Sequence, residues 1–148
     1  MIVTVLYRMA GSPRAPAQSP FADVPANAWY AAPVAWAAWY GVVTGYDGRT
    51  FGPDDSITRE QMAAILYRYA SFRGFDVSAA ASLSGFSDAG TVSGYARAPL
   101  SWAVSAGLIQ GMGNGKLAPR GKATRAQAAA ILQRFDGQYP RDPGAEGA

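Results

Sequence analysis

The 148-residue sequence contains neither histidine nor cysteine, and this double absence removes several kinds of chemistry at once. Without cysteine there is no disulfide bond and no thiol nucleophile, and without histidine there is no imidazole base. The usual zinc ligands are missing as well. Most enzyme classes are therefore difficult to accommodate, and we expect no catalytic residues, no metal site and no cofactor.

Long apolar runs and strong net charge are also missing. No run of eighteen or more apolar residues occurs, so we expect no membrane insertion. The formal net charge is only +3, which by itself does not indicate a nucleic-acid partner. Of the 13 basic residues, 11 are arginine, whose planar guanidinium suits two-point recognition of carboxylates and phosphates.

One motif occurs twice, 66 residues apart, at Thr58 to Arg68 and at Thr124 to Arg134. Each copy begins with a capping box, in which the Thr hydroxyl and the Gln three residues later bond to each other's backbone N–H groups. Thr58 and Thr124 are therefore predicted to be helix N-caps. Residues 5–8 match residues 65–68, so a third copy without its beginning opens the sequence, and we expect the chain to be truncated.

Apolar residues at helical spacing give each of these three helices one stripe that is expected to be buried. The stripes are Ile2, Val5, Leu6 and Met9; Met62, Ile65, Leu66 and Tyr69; and Ala128, Ile131, Leu132 and Phe135.

An arginine, Arg59 or Arg125, occupies the first turn after each cap, where the positive end of the helix dipole disfavours a cation. This placement makes sense if an external anion binds there. A solvated or salt-bridged arginine explains it equally well on the helix alone.

The two motifs close two longer repeats, each predicted to contain a short helix, a Gly-rich loop and a longer helix. Pro33 and Pro99 suit the first turn of the short helices, and Gly41 and Gly107 end them. The sequence divides into a terminal helix of an incomplete repeat (1–13), a Pro-rich linker (14–20), a full repeat (21–74), a connector (75–85), a second full repeat (86–136) and a tail expected to be disordered (137–148).

Each repeat opens with Phe-x-Asp. The first continues with an aromatic pair, a Trp-Ala helix ending in Gly-Val-Val-Thr-Gly, then Phe-x-Pro and Thr-Arg-Glu-Gln. This order of residues resembles the S-layer homology domain over nearly all of residues 1–136. The resemblance implies an all-α fold in which helix-loop-helix repeats form a pseudo-threefold spindle around a central three-helix bundle.

The resemblance also implies a non-catalytic anchor that binds an anionic, pyruvylated secondary cell wall polysaccharide, in a chain fused to or derived from a larger extracellular surface protein. Its Thr-Arg motif falls on Thr58, Arg59, Thr124 and Arg125. Asp23 and Asp88 are expected to orient sugar hydroxyls, and Trp29 is expected to stack on a sugar. Replacing either arginine should weaken polymer binding without unfolding the chain.

The sequence departs from the family pattern at three places. Gln61 and Gln127 stand where the family has Glu, and Gly94 replaces the Trp of the aromatic pair in the second repeat. The run from Lys116 to Arg125 holds four cations and no acid, so the site at Thr124 and Arg125 is expected to be the stronger one for an anion.

Other interpretations remain open. Trp36, Trp39 and Trp102 are expected to be core residues, because large aromatics on short amphipathic helices are usually buried. Asp54 and Asp55 suggest paired acids of a glycoside hydrolase, but the second repeat has no counterpart, and a solvated loop is favoured. A module that packs against a protein partner without binding glycan is the main alternative to an anchor.

Overall fold

The computed structural model describes residues 2–14, 20–43, 51–52, 56–111 and 114–138. These residues contain helices and no β-strand, which confirms the all-α prediction. The α-helices are α1 (Ile2–Met9), α2 (Ala31–Trp39), α3 (Arg59–Phe72), α4 (Arg97–Ser105) and α5 (Arg125–Gln138), and two short 3-10 turns cover Ala89–Thr91 and Gly94–Ala96. Asp54 and Asp55 lie outside the described residues, as do most of the Pro-rich linker and most of the tail predicted to be disordered.

The two short helices end as the sequence predicts. Gly41 and Gly107 adopt φ values of +75° and +74°, in the left-handed region that a side chain disfavours. The residue after each glycine donates its N–H to a carbonyl five residues earlier, at 2.8 Å for Val42 to Ala37. This pattern is a Schellman motif, and it turns the chain sharply after each helix.

The chain forms two compact units, with the boundary between Asp55 and Ser56. In the first unit α1 packs against α2. The rings of Tyr7 and Trp36 meet edge to face, with centroids 5.5 Å apart. Trp36 is fully buried, as expected of a core residue.

The second unit repeats this packing. Helix α3 lies against α4, and Tyr67 meets Trp102 edge to face at 5.7 Å. Helix α5 joins α3 through the rings of Tyr69 and Phe135, 5.9 Å apart. Because α3 packs with the helix that follows it, the compact units divide the predicted repeat 21–74. The long helix of one repeat and the short helix of the next fold together.

The predicted stripes of the long helices are largely buried. Leu6, Met62, Leu66 and Phe135 are fully enclosed, whereas Ile2 and Val5 in α1 are only half-buried and Val3 is buried instead. Helix α5 extends to Gln138, two residues into the range predicted as tail. The spindle arrangement and its central three-helix bundle stay predictions.

The expectation that Trp39 is a core residue is wrong, because its side chain is 72% exposed. The buried part of α2 ends at Ala37, and Trp39 is the last residue of the helix, beyond the core. Trp102, by contrast, is fully buried, as predicted.

Candidate functional site

Both predicted capping boxes are present. The Thr58 hydroxyl accepts from the N–H of Gln61 at 3.2 Å, and the Gln61 carbonyl oxygen accepts from the N–H of Thr58 at 2.9 Å. The corresponding distances for Thr124 and Gln127 are 3.1 and 3.0 Å. The prediction that the two threonines are N-caps is confirmed.

The remaining first-turn N–H groups of α3 are bonded to the second repeat. Arg59 donates its N–H to the carbonyl of Gly121 at 2.9 Å, and Glu60 donates to that of Pro119 at 2.8 Å. A helix start leaves four N–H groups without intrahelical partners. With the capping box, all four are satisfied here. The backbone N–H groups at the start of α3 are therefore not available to an anion.

The Arg59 side chain is also directed at the second repeat. The residue is only 5% exposed. Its Nε donates to the carbonyl of Leu117 at 3.0 Å, and its Nη2 donates to that of Gln110 at 2.5 Å. Burial lowers the pKa of the guanidinium, and the charge of Asp88 acts in the opposite direction. Arg59 is thus buried and held in place by backbone carbonyls, and among the described residues it forms no salt bridge.

Asp23 and Asp88 bind loops of their own repeats in the same way. The two carboxylate oxygens of Asp23 accept from the N–H groups of Phe51 and Gly52, both at 2.8 Å. Those of Asp88 accept from Leu117 and Ala118, again at 2.8 Å. In each repeat the aspartate fixes the loop that precedes the capping box. Their proposed contacts with sugar hydroxyls would have to use the remaining lone pairs.

These backbone hydrogen bonds also stabilise the deprotonated, charged forms of the two aspartates. The N–H groups of Phe51 and Gly52 hold the pKa of Asp23 below its ordinary value. The N–H of Leu117 is the main cause of the lowered pKa of Asp88. Leu117 therefore joins two predicted site residues, since its N–H donates to Asp88 and its carbonyl accepts from Arg59.

Glu60 is a residue of this region that the sequence analysis missed. Its carboxylate is buried and accepts from both the N–H and the hydroxyl of Ser93, each at 2.9 Å. Its oxygen Oε1 also lies 3.7 Å from Nε of Arg120, whose side chain is 68% exposed. The available signal was the difference between the two motifs, because Ala126 stands where the first motif has Glu60.

The structure gives the basic run between Lys116 and Arg125 a second neighbouring helix start. Ala123 donates its N–H to the carbonyl of Ile57 at 2.8 Å, and Thr58 and Lys122 form an antiparallel bridge. Residues 119–123 therefore lie beside the start of α3. Arg120 and Lys122 therefore add positive charge near the start of α3 as well, and stronger anion binding at Thr124 and Arg125 stays a prediction.

The remaining predicted site residues are placed as follows. Trp29, in the first unit, is 69% exposed and meets Tyr30 edge to face at 5.3 Å. Thr124 caps α5, and the side chain of Arg125 lies outside the described part of the chain. Within the second unit the structure brings Thr58, Arg59 and Asp88 to one place.

The described residues also bear on metal binding and membrane insertion. They contain no group of three or more His, Cys, Asp or Glu side chains that could hold a metal ion. None of their helices has the length and apolar character needed to cross a membrane.

Known proteins with similar sequences carry the same repeats. The sequence profile of the S-layer homology domain matches residues 20–63 and 85–129. An amylopullulanase from Thermoanaerobacterium thermosulfurigenes is 38% identical over 76% of this chain and 6% of its own length. The surface-layer 125 kDa protein of Lysinibacillus sphaericus is 35% identical over 77% of this chain and 10% of its own. The S-layer protein EA1 of Bacillus anthracis is 31% identical over 82% and 13%.

The same fold occurs in a solved structure. It is an undecaheme cytochrome from the S-layer of Carboxydothermus ferrireducens, with a TM-score of 0.50 and 22% identity, over 72% of this chain and 16% of that one. The chain spans only a small part of the relatives it matches. S-layer homology domains are non-catalytic cell-surface modules that form parts of larger surface proteins and bind cell-wall polymers. The chain belongs to the S-layer homology domain family, which supports an extracellular location in the cell wall or S-layer.

Proposed function

We propose that this chain anchors its parent protein by binding an anionic, pyruvylated secondary cell wall polysaccharide. The observation that carries the proposal is the collection of cations at the start of α3. Arg59 is fixed there, and residues 119–123 bring Arg120 and Lys122 to the same place. A pyruvate ketal presents one carboxylate, for which guanidinium groups are strong hydrogen-bond donors.

The acids in this region, Asp88 and Glu60, keep their negative charge and are held in place by hydrogen bonds. Both carboxylate oxygens of Asp88 accept backbone N–H groups, and both oxygens of Glu60 accept from Ser93. Arg59, Arg120 and Lys122 nevertheless outnumber the two acids by one charge, and of these three cations Arg120 and Lys122 are exposed to solvent. Such a net positive charge attracts a carboxylate and raises its local concentration.

The other predicted residues keep their proposed roles in the same function. Trp29 has the exposure that a sugar-stacking platform needs, and Asp23 holds the corresponding loop of the first repeat. Thr124 and Arg125 form the start of the second long motif. An interaction module without glycan binding is the alternative, and the large exposed rings of Trp29 and Trp39 are what favour it.

A pull-down on purified cell-wall polysaccharide tests the proposal. The polymer is used intact and after mild acid removal of its pyruvate ketals, with the full chain as the probe. The anchor interpretation expects retention on the intact polymer and strongly reduced retention on the treated one. Equal retention on both would exclude ketal recognition, and no retention on either would favour the protein-interaction alternative.

A further inference from the structure

We infer that Arg120 is the residue that pairs with the ligand carboxylate and sets the preference for an acidic glycan, while Tyr95 supplies the adjoining surface for the sugar ring. This inference rests on the proposed function and names the residues that give it specificity. It differs from the motif-based assignment, in which the arginine after the Thr cap makes this contact.

Arg59 is poorly suited to that contact. Its Nε and Nη2 are committed to the carbonyls of Leu117 and Gln110, and the residue is almost completely enclosed. A buried guanidinium that holds two carbonyls acts as a structural bridge. Moving it toward a ligand would leave those carbonyls unpaired, which costs free energy.

Arg120 has the opposite properties. Its side chain is 68% exposed, and its interaction with Glu60 is an ion pair of 3.7 Å, longer than a hydrogen bond. In the part of the chain that the structure describes, its Nη groups donate no hydrogen bond. The flat, two-pronged end of the guanidinium is therefore available for a carboxylate, which it can bind at two points.

Arg120 is nevertheless held in position. Its backbone belongs to the segment that bonds to the first turn of α3, where Pro119 and Gly121 accept N–H groups of that helix. Its Nε is drawn to the buried carboxylate of Glu60. A side chain that is anchored at Nε and free at its end loses less freedom on binding.

Tyr95 lies on a turn that the same carboxylate fixes. Glu60 accepts two hydrogen bonds from Ser93, and the carbonyl of Ser93 accepts from the N–H of Ala96 at 2.9 Å, which closes the turn around Tyr95. The ring is half exposed. Burial raises the pKa of the Tyr95 hydroxyl, the charge of Glu60 adds to this, and Arg68 and Arg120 oppose it. Tyr95 therefore lies within the field of both arginines.

The residues of this arrangement are not repeated at the equivalent positions of the two full repeats. At the position of Arg120 the first repeat has Asp54, and at the position of Glu60 the second motif has Ala126. Tyr95 also follows Gly94, where the first repeat has the exposed Trp29. The second repeat lacks that stacking platform, and the inferred pair of Tyr95 and Arg120 would take its place.

The test compares two methyl glycosides that differ only in a pyruvate ketal, titrated into the full chain and its variants by calorimetry. Arg120→Ala should weaken binding of the ketal-bearing glycoside by about tenfold or more and leave binding of the plain one unchanged. Tyr95→Ala should weaken both to a similar degree. Arg97→Ala removes one exposed positive charge from the same unit and should change neither.

The melting temperature of each variant shows whether folding is retained. Because the side chain of Arg120 is exposed, Arg120→Ala is expected to remain folded. Arg120→Lys gives a second variant, which keeps the charge and loses the two-point geometry, and an intermediate affinity is expected. A wild-type preference for the ketal that survives in Arg120→Ala would overturn the inference and leave the proposed function standing. A wild-type chain without any preference would overturn both.

Discussion

At the scale of single residues, Arg59 is the position where the structure changes the account most. The sequence analysis predicted that Arg59 binds an anion and that its replacement does not unfold the chain. In the structure it is enclosed and bonded to carbonyls 51 and 58 residues further along the chain. No local pattern could have shown this, because helix propensity and capping describe only the neighbours in sequence. Its partners come from the next repeat.

We therefore expect Arg59→Ala to destabilise the chain as well as to weaken polymer binding. Removing the guanidinium leaves the carbonyls of Gln110 and Leu117 without this donor, at a cost of about 1–3 kcal/mol. Denaturant unfolding measures the effect. Arg97→Ala is the matched control and should stay within about 0.5 kcal/mol of the wild type. Equal stability of the two variants would contradict the structural role of Arg59.

Ala118 is a second residue with a specific expectation. Its φ of 52° lies in the left-handed region, and the first repeat has Gly52 at the corresponding position, with a φ of 72°. A side chain in that region costs about 1–2 kcal/mol, and part of this is regained when glycine replaces it.

Ala118→Gly should therefore stabilise the chain by about 0.5–1 kcal/mol. The reverse change in the first repeat, Gly52→Ala, is the control and should destabilise it. Thermal unfolding of both variants checks the pair. A lower melting temperature for Ala118→Gly would show that the loop does not hold this backbone conformation.

At the scale of the elements, the helices and their ends were predictable, whereas the partners of the loops were not. The capping boxes, the Gly41 and Gly107 stops and the buried Trp36 and Trp102 follow from short-range patterns, and the structure confirms them. The hydrogen bonds by which Asp23 and Asp88 hold the loops before the capping boxes were not predicted. The bonds from Asp88 to the loop at Leu117 span 29 residues, and only the equivalence of the two repeats hints at them.

The hydrogen bonds from these loops to Asp23 and Asp88 predict that acid lowers the stability of the folded chain. Both Asp23 and Asp88 have a pKa below the ordinary 3.8 because backbone N–H groups stabilise their charged forms. A carboxyl whose pKa is lower in the folded state adds stability above the ordinary pKa, and this is lost as pH falls through the lowered value. Stability should therefore decline below about pH 4.

Asp88→Asn isolates one of these contacts, because the amide keeps the shape but loses the charge and one acceptor. The variant should be less stable than the wild type at neutral pH and should lose less stability on acidification. Urea unfolding at several pH values measures how the free energy of unfolding of each protein changes with pH. Parallel pH curves for the two proteins would contradict the assigned role of Asp88.

At the scale of the whole molecule, the repeat in the sequence and the compact unit in the structure are out of phase. The long helix of one repeat packs with the short helix of the next, as the Tyr7–Trp36 and Tyr67–Trp102 pairs show. Periodicity revealed the repeats, but it could not reveal which neighbour completes each core. The same offset explains why residues 119–123 of the second repeat lie beside the start of α3 in the first.

This offset predicts that the first unit depends on α1. Deleting residues 1–10 should uncover the apolar surface around Trp36, which Tyr7 now contacts. Exposed apolar patches of several hundred Å² promote association. We expect a lower melting temperature and a larger mass in light scattering. A deletion variant that stays monomeric with unchanged melting would show that α1 adds nothing to the core.

The salt dependence of glycan binding tests the central claim most directly. Pyruvylated polysaccharide and its ketal-free form are titrated calorimetrically into the full chain at low and at near-physiological ionic strength. Charges exposed to solvent are screened over about 8 Å at physiological salt. If cations at the start of α3 bind the ketal carboxylate, the intact polymer binds tightly, its affinity falls with salt, and the ketal-free polymer binds weakly at both concentrations. Equal affinities for the two polymers, with no effect of salt, would contradict the account.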